Sequence, residues 1–578
     1  MKTAFSPLKP DRNGTALALT MVMTGIALAI LAGAMTWSMN STRLTNRSIQ
    51  YNHSVAAAEA ATEKVLSQIT RDFLQGGEKL VRDNLDSYRR TVPTPTDSAY
   101  WTGWEFNDAS GNLSQTFVQP GVASSYRVLN STYAGLRGFV STYTLVSHTR
   151  ETTAAQDVTG GVLQEVELAR IPIFQFAMYS SGNMEISCGQ PLTVTGRVHA
   201  NGDLYVEPDN LLTFQSDVTA VGKILFQRDP NDGRGSPAGS VIYQARKDSH
   251  VGAMILPIGM TNTPEAVREI IQPPPFGEDL NSPLGRSRYF NQADMLLVVL
   301  DTGINATSGG FNNFGANIPT NQLDSIVSTT NSFWDAREGK TVRPIDIDIG
   351  ALKAWSETNS SLRVALGSKA VSSVYVWDRR TLSGADLGAV RVVNGLNLPS
   401  RGLTVATASP LYVLGHYNQN NLANLGTANT DTTLPASLVG DAVTILSAGW
   451  LDAKSTHGIV SRLAAPTTVN AAILTGVVET TPGKYSGGME NFPRFLEAWG
   501  SANIFTYNGS MVKMFPSIHA TNAWGNAGVY SPPKRDWAYD INFNDASKLP
   551  PCTPSLEKVI RSQWATVAAD NNTAPAAP

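Results

Sequence analysis

The chain is poor in charge, in cysteine and in catalytic signatures. Only 16% of its 578 residues are Asp, Glu, Lys or Arg, against roughly a quarter in ordinary globular proteins. Net charge is −3, and no basic cluster follows the N-terminal apolar stretch. The footprint of a nucleic-acid binder is therefore missing. Two cysteines, Cys188 and Cys552, are too few for a disulfide-dense scaffold. In an oxidising compartment they are a candidate pair tying the C-terminal tail to the middle of the chain; two separate buried thiols are the alternative. The seven histidines never fall two, three or four residues apart, so no local metal-ligand signature exists. There is no G-x-S-x-G and no P-loop. S-x-x-K recurs, at Ser6, Ser510, Ser531 and Ser555, without the S-D-N and K-T-G that would make it a catalytic set. No cofactor is implied, and the expectation is a protein that is not an enzyme.

Two further absences are local. No charged side chain occurs from Asn13 to Thr42, and the apolar heart from Thr15 to Trp37 exceeds the roughly 20 residues that cross a bilayer as a helix. Lys2, Lys9 and Arg12 precede it against Asp11, a bias that keeps the N-terminus cytoplasmic and places everything after Arg43 outside. No Pro or Gly occurs from Ala34 to Gln75. Ser54–Ala61 is Ala-rich, and Val65, Ile69 and Phe73, beside Leu66, form one face of an amphipathic helix. Gly76-Gly77 weakens it, Leu80, Val81, Leu85 and Tyr88 continue it, and Pro93 and Pro95 end it. The spacing predicts one long helix, half in lipid and half in a folded domain. A cleaved signal peptide, with a small-x-small site at Ala32-Gly33-Ala34, and an uncut anchor are the competing readings.

Arg12-Asn13-Gly14-Thr15-Ala16-Leu17, the apolar run and Ser48–Glu63 ending in AAEAATE resemble the N-terminal module of PilX-type minor pilins. The resemblance covers about residues 10–75. It implies a leader cut between Gly14 and Thr15 by a prepilin peptidase, an inner-membrane anchor and packing beside other pilin-like subunits. Position 19, where major pilins carry Glu, is Leu19. An accessory or priming subunit therefore fits better than a bulk filament subunit, and Glu59 reads as a solvated helix face. The segments RVHANGDLYV (197–206), VRVVNGLNLPSRGLTVATASPLYVLGHYN (390–418) and NIFTYNGSMVKMF (503–515) resemble the bodies of large PilX-anchored bacterial surface proteins, which implies architecture but no reaction.

The rest of the chain predicts an α+β fold that is mostly β. After a leader (1–14) and the helix (15–92), residues 97–180 carry short β-prone runs with turns at Asp108–Gly111 and Gly160-Gly161. This sheet is the expected partner of Val65, Ile69 and Phe73. Ile171–Tyr179 is too short for a second span and reads as a buried strand or short helix. From 181 to 228 very short strands between Gly/Asn turns favour a β-solenoid over a meander of hairpins. Residues 229–385 read as an inserted α/β and loop block, with helices at Pro264–Ile271 and Ala351–Ser356. The solenoid resumes over 386–486. Asn508-Gly509 inside FTYNGSMVKMF predicts a hairpin, residues 487–569 an aromatic, Pro-rich end cap, and 570–578 a disordered tail.

Three patterns invite chemistry. Asp346 and Asp348 alternate with isoleucines on one strand, where a carboxylate pair would serve a sugar-cleaving enzyme; isoleucines inside and aspartates outside is the plain alternative. Asp229-Pro230-Asn231-Asp232-Gly233 is similar to a calcium loop but fails its spacing. The Trp and Tyr residues around 499–540, Trp499, Trp524 and Trp537 among them, are aromatic faces for stacking on surface glycans, or are buried under a cap that also holds Trp564. The leading expectation is a pilin-like structural or accessory protein displaying a large β body at the cell surface, for assembly or adhesion. The alternatives are an exported β-helix carbohydrate-active enzyme and a pilus-independent adhesin.

Overall fold

The computed structural model describes residues 12–108, 110–129, 133–154, 156–308, 317–500, 502–522, 524 and 528–568. Most of the leader and the tail 570–578 lie outside the described residues.

Helix α1 runs Arg12–Asp83, 72 residues, about 108 Å at 1.5 Å per residue. A single residue inside it is non-helical, Gly77 at φ 68°, ψ −167°, which only glycine adopts without strain. A five-residue helix, Leu85–Arg89, follows, so the helical region closes before Pro93.

The second half of α1 lies on a six-stranded antiparallel sheet. Arg137–Glu151 is its hub. It pairs with Trp104–Asn107, Phe117–Pro120, Ser125–Val128 and Thr159–Pro172. Val65, Leu66, Ile69, Phe73, Val81 and Tyr88 of the helical region pack on Val118, Tyr143, Leu145, Val166 and Leu168. Each such side chain contributes about 1.5–3 kcal/mol on burial. Gly160 and Gly161 are not a turn. They sit in the strand Thr159–Pro172, opposite Thr149 and His148. A Cβ on Gly160 would come within 2.6 Å of the Val55 backbone nitrogen, so glycine is there to let the helix touch the sheet. The sixth strand, Ser555–Thr566, pairs with Thr159–Pro172. The C-terminal region thus closes the sheet under the helix instead of belonging wholly to a cap.

Ile171–Tyr179 divides into a strand end, a 3-10 turn Ile173–Gln175 and the strand Phe176–Ser180. From there the chain winds into stacked parallel turns. Met184, Leu204 and Ile224 stand in register, as do Leu192, Leu212 and Val241, and Val198, Val218 and Lys247. Asn183 Oδ1 accepts from the Asp203 backbone 2.9 Å away, and Asp203 Oδ1 from Lys223 at 2.7 Å, each pair 20 residues apart.

The block 229–385 does not interrupt this stack. Residues 254–293 cross its outer face, and the chain then builds further parallel turns from the far end back to the middle. Met295–Leu300, Ser373–Asp378, Leu403–Thr407, Ala436–Gly440, Thr467–Val477 and Ile504–Pro516 are consecutive neighbours, and the last pairs with Phe176–Ser180. Lys340–Asp348, Asp386–Val393, Leu411–Leu414, Val443–Leu446 and Arg494–Phe495 form the opposite wall. These strands are buried on both faces, as parallel strands usually are. Val374, Leu438, Ile473 and Met511 point into the interior. Their neighbours Tyr375, Val439, Leu474 and Val512 meet Val267, Ile271 and Tyr289 of the crossing segment.

Two expectations fall here. FTYNGSMVKMF is no hairpin but one strand, Ile504–Pro516, parallel to its three partners Thr467–Val477, Phe176–Ser180 and Lys534–Tyr539. Gly509 has no positive φ; a Cβ there would lie 2.0 Å from the Ala471 carbonyl oxygen, so the glycine serves close approach. Asn508 joins a buried ladder, donating to Asn470 Oδ1 at 2.8 Å, while Asn470 donates to the Asn418 carbonyl at 2.9 Å. This aromatic region therefore sits at the centre of the stack, not at an end.

Candidate functional site: the free half of the stem helix and its seat

From Ala16 to Ile49 every described side chain of α1 is exposed, Leu17, Leu19, Met21, Ile26, Leu28, Ile30 and Leu31 among them. It is the one helix among the described residues long and apolar enough to cross a membrane. Its threonine hydroxyls bond back within the helix: Thr24 donates to the Thr20 carbonyl at 2.7 Å and Thr36 to Ala32 at 2.8 Å. A helix in hydrocarbon requires this, since no water is there to pair with them. Gly14 and Thr15 lie within α1, which begins at Arg12.

The body grips α1 from Ser54 onward. The Ser54 carbonyl accepts from Thr149 Oγ1 at 2.6 Å. Ala57, Ala58 and Ala61 are buried, their small side chains allowing close approach, while Glu59 is half-buried. Lys64 bonds the Val92 carbonyl at 3.0 Å and Asp97 at 2.6 Å. That bond, with Thr94, holds the Asp97 carboxyl down at about 2. Glu63 meets Arg561 of the last strand at 2.7 Å. Next to Phe73, Asp72 takes hydrogen bonds from Tyr88 and Asn84. Burial alone would raise its carboxyl; these bonds and Arg71 outweigh burial and hold it below the ordinary value.

Asp346 and Asp348 are both engaged in the fold. Asp346 is buried and paired bidentately with Arg391 at 2.7 and 2.8 Å, and accepts from Asn331 at 2.5 Å. Asp348 caps the helix Ile349–Thr358 through the Ala351 backbone at 2.8 Å and accepts from Asn394 at 2.5 Å. The strand does not set both carboxylates facing one open space.

The loop at Asp229–Gly233 is a turn in which Asp229 Oδ1 accepts from Asn231 at 2.8 Å and Asp232 pairs with Arg234 at 2.7 Å. Among the described residues no group of three or more His, Cys, Asp or Glu has a metal-holding arrangement. Sequence reading missed what this loop covers. Glu207 is fully buried, 3.3 Å from Arg228 and 3.6 Å from Arg234. Burial, and then Glu185, push its carboxyl up to about 8. Glu490, accepting from the Ser187 backbone at 3.0 Å, is pushed by burial to about 7. The signal was an acidic residue in the interior of a short strand, Glu185, and one directly after another, Glu207.

Cys188 and Cys552 are free thiols, the alternative to the candidate pair. Cys188 belongs to the interior core of the stack. Cys552 packs on the crossing segment, 3.6 Å from the Gln292 carbonyl oxygen. Each is pushed up to about 12 by burial. His199 is buried between Thr219 and Asn201, and burial lowers it to about 4. Trp499 and Trp537 are buried and Trp524 is half-buried, so the tryptophans around 499–540 do not form an exposed stacking surface.

No family model matches the chain, and no curated protein matches it. Among solved structures it is similar to the competence-associated pilin ComZ from Thermus thermophilus, at 12% identity and a TM-score of 0.30, over 90% of this chain and 97% of that one.

Proposed function

We propose that this protein is a membrane-anchored, type IV pilin-like accessory subunit of the PilX kind, structural and not catalytic, whose stacked turns form a β-solenoid displayed outside the inner membrane. One observation carries the reading. A single helix is exposed from Ala16 to Ile49, apolar and free of charge from Asn13 to Thr42, and clamped on an antiparallel sheet over its second half. The bare half suits lipid and the helices of neighbouring pilin-like subunits; the clamped half transmits its position to the body. Leu19, in place of an acidic residue, suits an accessory place. Gly14-Thr15 is then the prepilin peptidase site, and the outer body serves assembly or adhesion to surface glycans.

N-terminal sequencing of protein recovered from membranes and sheared surface material tests this. A start at Thr15 is expected, lost in a strain without prepilin peptidase. A freely soluble product starting at Met35 overturns it. Deletion of the gene is expected to reduce piliation or secretion.

A further inference from the structure

The break at Gly77 leaves a cavity of about 330 Å³. Gln75–Lys79 of α1, Arg170, Pro257, Pro283, Arg286, Ser287, Ser555 and Glu557 line it. Three parts of the fold meet there: the stem helix, the sheet beneath it and the segment crossing the stack. The space would hold about ten waters, or one molecule of monosaccharide size.

Its chemistry is lopsided. Glu557 is 3% exposed, and its Oε2 has no hydrogen-bond partner. Such an orphan normally has a partner. Arg170 and Arg286 line the cavity, near enough to favour the charged form of Glu557, yet neither is hydrogen-bonded to its Oε2 among the described residues. Lys79 is occupied by Asp83 at 2.6 Å and Glu78 by Arg82 at 2.6 Å. The groups left without an ionic partner among the described residues are two guanidinium ions, of which Arg170 also lies 5.8 Å from the Phe139 ring centroid, and one buried carboxyl. Two guanidinium ions suit a carboxylate or phosphate, and the orphan oxygen suits a hydroxyl.

We propose that this cavity binds a small hydroxylated anion of the sugar-acid or sugar-phosphate class, its anionic group on Arg170 and Arg286 and a hydroxyl on Glu557. The site is independent of the pilin-like reading. Burial pushes Glu557 up to about 8, so it is a neutral acid at pH 7. Above that it ionises and repels the anion. The other charged groups facing it are Glu78, Lys79, Arg170 and Arg286.

Calorimetry on the detergent-solubilised full chain, with glucuronate, glucose 6-phosphate, inorganic phosphate and glucose as probes, tests this. Glucuronate or glucose 6-phosphate is expected to bind saturably and to raise the melting temperature; which of the two binds tighter separates carboxylate from phosphate recognition. Glucose and inorganic phosphate bind more weakly. Arg286→Gln and Arg170→Gln, both exposed and so compatible with folding, each weaken binding roughly tenfold or more. Affinity falls as pH rises through about 8, and Glu557→Gln removes that fall. No saturable binding by either sugar anion up to about 10 mM, equal affinity for glucose, or unchanged affinity in both arginine variants overturns the proposal.

Discussion

Tyr88 donates its hydroxyl to Asp72 across 2.7 Å of buried space, clasping the short helix Leu85–Arg89 back onto α1 beyond the break at Gly77. Asn84 adds a second bond to the same oxygen at 2.8 Å. The clasp fixes the end of the stem after its regular hydrogen bonding is interrupted.

Tyr88→Phe removes one bond to a buried carboxylate and is expected to destabilise the protein by about 1.5–3 kcal/mol, read as a lower urea midpoint. The Asp72 carboxyl is depressed in the fold. Its contribution is therefore present above the ordinary value of 3.8 and lost as pH falls through the lower folded value. Asp72→Asn is expected to reduce stability at pH 7 and to flatten that acid limb.

The raised carboxyls act in the opposite sense. Glu207 and Glu490, ordinarily near 4.5, stand at about 8 and 7. Their stabilising influence is complete below 4.5 and is lost as pH rises through 7 to 8, each by up to about 1.4 kcal/mol per pH unit. Chemical denaturation at a series of pH values is expected to show declining stability across that window, and Glu207→Gln to flatten it.

Asp346→Ala leaves Arg391 buried with only Asp452, 2.7 Å away. Breaking a buried pair from one side is expected to cost about 3 kcal/mol or more. A thermal melt measures this. A glycan-cleaving role for Asp346 instead predicts lost hydrolysis with an unchanged melt.

Asn470→Ala removes the bonds to the Asn418 carbonyl and from Asn508, orphaning buried polar groups on both neighbouring turns. The expected cost is about 2–4 kcal/mol, visible as lost amide-exchange protection in Thr467–Val477 and its neighbours.

The stem was legible because its signals are local. A run without charge, a run without Pro or Gly, and apolar residues spaced three and four apart are properties of neighbouring residues, and α1 follows them. The strands under it were also legible, each read from its own β-prone run. Glycine misled at Gly160 and Gly509 for one reason. A missing Cβ is demanded as strongly by a neighbouring backbone at 2.0–2.6 Å as by a turn, and the sequence around it does not say which.

By itself the sequence determined that a helix begins at the apolar stretch, that its lower half has a face to bury, and that the body is built of short strands. Only the tertiary structure decided which strands are neighbours. It set Ile504–Pro516 between Phe176–Ser180 and Thr467–Val477, brought Ser555–Thr566 under the helix and turned an expected insertion into the far end of the stack. Strand order in a parallel sheet is set by how distant faces fit one another, and hydrophobic pattern records which residues are buried but not against what. The same holds for the cavity at Gly77: Arg170, Arg286 and Glu557 meet there because three remote segments converge.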